Sequence, residues 1–174
     1  MRKCLILLLI ITRNININAQ ATQEIKNLVF EGAGVRGIAY CGAIQELEAR
    51  GLLNHIDRVA GTSAGAVMAL TLSLGYTGEE IAKIISTTKF KKFNDGRFLF
   101  FGGIHRTHKY FGWYRSYRLE KWLRNIIVVK TGNADITFAQ LRQNKFKDLY
   151  VTGTCINLQK MIVFSAENYP EMKV

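Results

Sequence analysis

The sequence predicts an α/β fold with a parallel-rich central sheet flanked by helices. Two short apolar stretches, Leu28-Val29-Phe30 and Val59-Ala60, each run through a glycine-bearing turn into a helical segment. The first of those segments carries Ile38, Cys41, Ile44 and Leu47 at three-residue spacing, close to the period of a helix face. Strand, turn and helix repeated in that order build parallel strands, and such sheets bind ligands at the carboxyl ends of their strands. The chain has 174 residues and is 48% hydrophobic, enough for one domain with its own core.

Residues 1–21 read as a secretory signal. Arg2-Lys3 form a charged start, Cys4 to Ile11 an apolar stretch too short to span a bilayer, and Ala19-Gln20-Ala21 a cleavage site. Cleavage there would export the chain to the periplasm, the outer membrane or the medium. The competing reading is a buried N-terminal strand. The cleaved chain retains Cys41 and Cys155, which are expected as two buried thiols rather than a disulfide.

The body begins near Lys26. Leu28-Val29-Phe30 reads as a buried strand, followed by Glu31 and the loop Gly32-Ala33-Gly34-Val35-Arg36-Gly37. A helix from Ile38 to Arg50 follows, with Ile38, Cys41, Ile44 and Leu47 on one stripe and Gly51 as its stop. Leu52 to Asp57 lead to the second strand. Gly61-Thr62-Ser63-Ala64-Gly65 then opens a nearly apolar helix, Ala64 to Leu74, ended by Gly75. Capping boxes at Thr77-Gly78-Glu79-Glu80 and at Thr137 to Gln140 predict two more helix starts. Leu149 to Ile156 and Met161 to Ser165 alternate as two strands around a turn at Asn157-Leu158-Gln159.

Two motifs carry chemistry. Gly61-Thr62-Ser63-Ala64-Gly65 is a nucleophile-elbow pattern, in which a sharp strand-to-helix turn lifts a serine hydroxyl clear of the sheet. Gly32 to Gly37 is a Gly-x-Gly-x-x-Gly loop. It suits a dinucleotide site, with Asp57 at the right distance for a ribose contact. It equally suits an oxyanion hole, since successive backbone N–H groups at a helix start are aimed donors. Arg36 either anchors the helix start or neutralises a phosphate or oxyanion. Ser63 needs a base. His55, His105 and His108 fall where surface roles are expected, and Asp95-Gly96-Arg97 reads as a turn.

The two motifs, in this order and about thirty residues apart, resemble those of the patatin-like phospholipases. The resemblance runs from Lys26 to the end of the chain, through Thr137-Phe138-Ala139-Gln140-Leu141, Lys147-Asp148-Leu149-Tyr150-Val151 and Val163-Phe164-Ser165. It implies a three-layer fold and a lipid substrate, cleaved through an acyl-enzyme on Ser63. Gly32 to Gly37 become the oxyanion loop, with Ala33 where the family usually has glycine. No cofactor or metal is implied. The family's base is an Asp in an Asp-Gly-Gly or Asp-Gly-Ala motif, which nothing in this chain matches. Residues 26–174 are therefore expected to be the N-terminal part of a longer catalytic domain.

The formal net charge is +11, which favours anionic partners. Between Lys83 and Lys130, twelve basic residues stand against Asp95 and Glu120, interleaved with aromatics. That region reads as an anionic-membrane surface, or as a solvated basic face over an aromatic cluster. Gly102-Gly103 could let the Phe98 to Phe101 run move as a lid. Nucleic acid is not expected as a partner, for want of any compact recognition motif. Two function classes remain: a serine lipid acyl hydrolase, and a catalytically silent domain binding lipid or a partner.

Overall fold

The computed structural model describes residues 25–94, 107–109 and 114–174. Residues 1–21, Asp95-Gly96, the 98–103 run and His105 lie outside them. Four strands form one sheet in the order β1 (Asn27–Phe30), β2 (Arg58–Gly61), β3 (Asp148–Cys155), β4 (Lys160–Phe164). The first three run parallel and β4 is antiparallel. Helix α1 (Ala39–Ala49) links β1 to β2. Between β2 and β3 lie α2 (Ala64–Ser73), α3 (Gly78–Thr87), α4 (Tyr117–Thr131) and α5 (Phe138–Gln143).

Register decides which residues face the helices. Leu28, Val59 and Leu149 are partners across the sheet, as are Phe30, Gly61 and Val151. Phe30, Val59 and Leu149 join the core with Ile44, Met68, Ile81, Ile127 and Leu141. Both parallel connections advance in the same direction along the sheet, so right-handed crossovers bring α1 and α2 to the same face. The opposite face carries Val29, which is exposed, whereas the sequence predicts a wholly buried strand. Val29 alternates away from the helices, and β1 has no strand beyond it among the described residues.

The apolar helix α2 is buried along most of its length. Its two polar side chains are both satisfied. Thr71 Oγ1 donates to Val67 and Met68 carbonyls, and Ser73 Oγ donates to the Lys147 carbonyl at 2.6 Å. Gly75, at φ +74°, turns the chain into α3, and there the predicted capping box forms: the Thr77 N–H donates to Glu80 Oε2 at 2.8 Å, and the Glu80 N–H donates back to Thr77 Oγ1 at 3.2 Å. The box at Thr137 and Gln140 also forms.

Two expectations need correction. Ile38 is exposed, because a 3₁₀ turn over Gly34–Ile38 precedes α1 and shifts it out of phase with Cys41 and Ile44. Cys155 is only half-buried, at the end of β3 where the sheet runs out into solvent, whereas Cys41 is buried in α1. Burial pushes the Cys41 thiol above its usual pKa, as suits a packing residue.

Candidate active site

The elbow forms where the sequence places it. Ser63 sits between β2 and α2 at φ +53°, ψ −120°, a backbone conformation that side chains disfavour. The surroundings hold it there. The Thr62 N–H donates to the Phe30 carbonyl at 3.2 Å, and the Thr62 and Thr152 hydroxyls share a hydrogen bond of 2.7 Å. The Gly65 N–H closes the turn on the Thr62 carbonyl at 2.9 Å. Both elbow glycines are required by contact rather than by dihedral. A Cβ on Gly61 would lie 2.2 Å from the Gly65 carbonyl oxygen, and one on Gly65 2.4 Å from that of Phe30.

The Gly-rich loop lies against this turn. A Cβ on Gly32 would sit 3.5 Å from Ser63 Cβ, and one on Gly37 would sit 3.0 Å from Ala64 Cβ. Gly34, at φ +53°, begins the 3₁₀ turn, and among the described residues, its own chain neighbours aside, no atom lies within 4 Å of where its Cβ would be. The first N–H groups of that turn, from Gly34 and Val35, have no acceptor inside it. Ala33 adopts φ −122°, open to any residue, so its methyl group does not disturb the loop. Tyr40 braces the loop by donating to the Glu31 carbonyl at 3.1 Å and packing edge-on against Phe30. Among the described residues, the exposed Arg36 guanidinium has no ion-pair partner, so the anchoring role for it finds no contact.

Topology removes two alternatives. Asp57 precedes β2, at the amino end of the sheet beside Lys26 at 3.9 Å, whereas the Gly-rich loop follows β1 at the carboxyl end. One ligand cannot use both as a dinucleotide would. His55 also precedes β2, on the 3₁₀ turn Leu52–His55, so the whole strand separates it from Ser63. Among the described residues, which include His108, no side chain hydrogen-bonds the Ser63 hydroxyl.

Beside Ser63 opens a pocket of about 330 Å³, which sequence reading missed. Ala66, Val67 and Leu70 of α2 form one wall, and Leu119 and Leu123 of α4 another. Phe138, Leu149, Val151, Phe164, Met172, Lys173 and Val174 complete it. The C-terminal residues reach it because the Phe138 N–H donates to the Met172 carbonyl and the Val174 N–H to that of Ile136. Leu119 and Leu123 on α4, like Ala66 and Leu70 on α2, are i, i+4 pairs and so a local signal. The remaining wall comes from α5, β3, β4 and residues 172–174.

The basic, aromatic region contributes structure here. Phe90, Phe93 and Trp122 stack as a three-ring cluster, and Trp122 Nε1 donates to Thr88 Oγ1 at 3.1 Å. Lys130 pairs with Glu80 at 2.9 Å and lies over the Tyr76 ring. Arg124 holds Asp135 with two hydrogen bonds, at 2.8 and 3.1 Å. These contacts fix α4 as a pocket wall.

A parallel sheet with a Gly-rich loop beside a Gly-x-Ser-x-Gly strand-to-helix turn defines an α/β protein with its loops gathered at the carboxyl ends of the strands. Residues 28–169 match the patatin-like phospholipase family, and the chain belongs to that family. It is 31% identical over 151 residues to a protein of Acanthamoeba polyphaga mimivirus, covering 86% of this chain and 48% of that one. It is 29% identical over 150 residues to probable lipid hydrolase 463L of Invertebrate iridescent virus 6, covering 86% and 50%. The chain thus spans about half the length of these relatives. Among solved structures, ExoU of Pseudomonas aeruginosa in complex with SpcU matches with a TM-score of 0.65 at 21% identity, over 86% of this chain and 36% of that one. VipD of Legionella pneumophila matches with 0.62 at 19% identity, over 86% and 40%.

Proposed function

We propose that this chain carries the nucleophile half of a serine lipid acyl hydrolase. The observation that carries the reading is the apolar pocket opening at the Ser63 turn. Its volume has room for on the order of ten methylenes, each taking ~30 Å³ as a water does in the liquid. An acyl chain seated there would present its ester carbonyl to Ser63. In this reading Ser63 Oγ attacks the carbonyl carbon and its proton passes to a base. The N–H groups of Gly34 and Val35 receive the oxyanion, with Arg36 near the phosphate. The C–O bond to the lysolipid breaks, that oxygen takes the proton, and water then hydrolyses the acyl-enzyme.

In this reading the base is an Asp in the family's Asp-Gly-Gly/Ala motif, which no stretch of these 174 residues matches. The test compares fluorophosphonate labelling of Ser63 in the 174-residue chain with labelling in one extended through such a motif. Labelling of the extended chain should be faster by roughly 10⁴, the scale on which a triad acid matters elsewhere. Equal rates would show that an Asp in such a motif is not the base for Ser63.

A second reading, a silent lipid-binding domain, is favoured by the absence of a base beside Ser63 among the described residues. Vesicle binding together with an unreactive Ser63 in the extended chain would select it. In either reading, basic residues of the 83–130 region, Arg118 and Lys121 among them, meet anionic headgroups, so binding should weaken with salt. Export follows if the 1–21 segment is cleaved, which N-terminal sequencing of the mature protein decides.

A further inference from the structure

The carboxyl end of the sheet carries apolar side chains that nothing among the described residues covers. β3 is level with Gly61 at Val151 and continues through Cys155, four residues further. At ~3.3 Å per residue the β3–β4 hairpin therefore projects roughly 13 Å beyond the strand end that bears the elbow. At its tip Ile156 is 74% exposed, Leu158 65% and Met161 69%. Val35 on the Gly-rich loop, at the same end of the sheet, is 92% exposed. Residues 155–161 contain one charge, Lys160, and residues 32–38 contain one, Arg36, both positive.

We propose that the hairpin tip, together with Val35, is a lipid-docking surface that enters the headgroup–acyl boundary of an anionic membrane and holds the Ser63 mouth against it. The geometry fits that depth. Interfacial elements bury ~5–10 Å of their apolar face, so a tip of this reach leaves Ser63 level with the headgroups rather than submerged. The root of the hairpin is already pocket wall, through Val151 and Phe164. An acyl chain drawn along it passes from bilayer to pocket without crossing water. Charge selects this occupant over a second copy. Two copies meeting tip to tip would oppose like charges on chains of +11, whereas an anionic lipid surface complements Lys160 and Arg36.

The surface does not depend on catalysis by Ser63, so Ser63→Ala should bind vesicles like the wild type and thereby separates the two readings. The test measures partition of the 174-residue chain onto vesicles of phosphatidylcholine with phosphatidylglycerol. The combined variant Ile156→Ser, Leu158→Ser, Met161→Ser should lose at least about tenfold in partition, with an unchanged thermal melt. Lys160→Glu should lose less, about fivefold or more. Leu158→Trp supplies an independent measurement: its added fluorescence should be quenched by phosphatidylcholine brominated in the acyl chains, beyond any quenching of the wild type. It decides alone if the triple variant does not fold. Undiminished partition of a folded triple variant, or no added quenching, would overturn the proposal. So would loss of a dimer in the triple variant where the wild type has no vesicle affinity, since that assigns the tip to a second copy.

Discussion

The two ends of the parallel sheet use the same strands and treat polar groups in opposite ways. At the amino end, charges are matched. Lys26 meets Asp57, Arg142 holds Asp148 through two hydrogen bonds, and Tyr150 and Arg142 share Glu167. Lys147, whose pKa burial pushes down, donates to the carbonyls of Leu53 at 3.0 Å and Ile56 at 2.6 Å. At the carboxyl end, the Ser63 hydroxyl and the Arg36 guanidinium lack such partners among the described residues, and Ser63 occupies a strained dihedral. Groups satisfied inside the fold stabilise it and are lost to ligands. Groups held rigid and unsatisfied cost stability and remain available for chemistry.

If that division is right, substitutions at the two ends should separate activity from stability. The largest effect is expected from Ser63→Ala in a chain extended through an Asp-Gly-Gly/Ala motif. Ester hydrolysis should fall by roughly 10⁴–10⁶ while the thermal melt stays put. Retention of more than a few per cent of the rate would remove Ser63 from the mechanism.

The next effect sharpens the comparison within the carboxyl end. Gly65→Ala drives a methyl group into the Phe30 carbonyl and should destabilise by about 3 kcal/mol or more, as overpacking does. Gly34→Ala places its methyl group in open space and meets only the φ +53° penalty, about 1 kcal/mol. Chemical denaturation of both variants checks the order. Equal losses would mean that the elbow relaxes more freely than its contacts imply.

At the amino end, Lys147→Met keeps the aliphatic stem and leaves the Leu53 and Ile56 carbonyls without their donor. A loss of about 2 kcal/mol is expected, with hydrolysis per folded molecule unchanged. A changed rate in folded protein would show that the two ends are coupled.

The smallest effect lies in the ion pairs that hold α4, Lys130 with Glu80 and Arg124 with Asp135. The Thr77 backbone N–H first, and then Lys130, hold the Glu80 carboxyl below its usual pKa. Arg124 first, and then Lys173, do the same for Asp135. A depressed carboxylate contributes stability that is present above its unfolded pKa and lost as pH falls through the folded one. Melting temperature should therefore decline below about pH 4.3, and Glu80→Gln should flatten part of the slope. Solvent reaches the Glu80 side chain, so its share should be under about 1 kcal/mol. An unchanged slope in Glu80→Gln would leave Asp135 as the main source.

How much could be read beforehand follows from how local each feature is. The elbow, both capping boxes, the Gly51 and Gly75 stops and the β3–β4 hairpin are written in windows of three to ten residues, where turn chemistry and periodicity act directly. Ile38 misled because the stripe seemed continuous, although a 3₁₀ turn resets the phase one residue before α1. Val29 misled because an apolar strand residue does not say whether the face it points to is covered.

The sequence by itself determined the order of the strands and of the helices other than α4, the serine at a strand-to-helix turn, and the glycines beside it. Each is a demand of backbone geometry on its immediate neighbours. Only the tertiary structure decided that Gly32 meets Ser63, that Asp57 and His55 stand at the wrong end of β2, and that Leu123, Phe138, Phe164 and Met172 enclose one apolar cavity beside the hydroxyl. Those outcomes depend on sheet order, register and crossover hand. They join residues more than a hundred positions apart, such as Ser63 and Met172, and no local spacing can encode such a meeting.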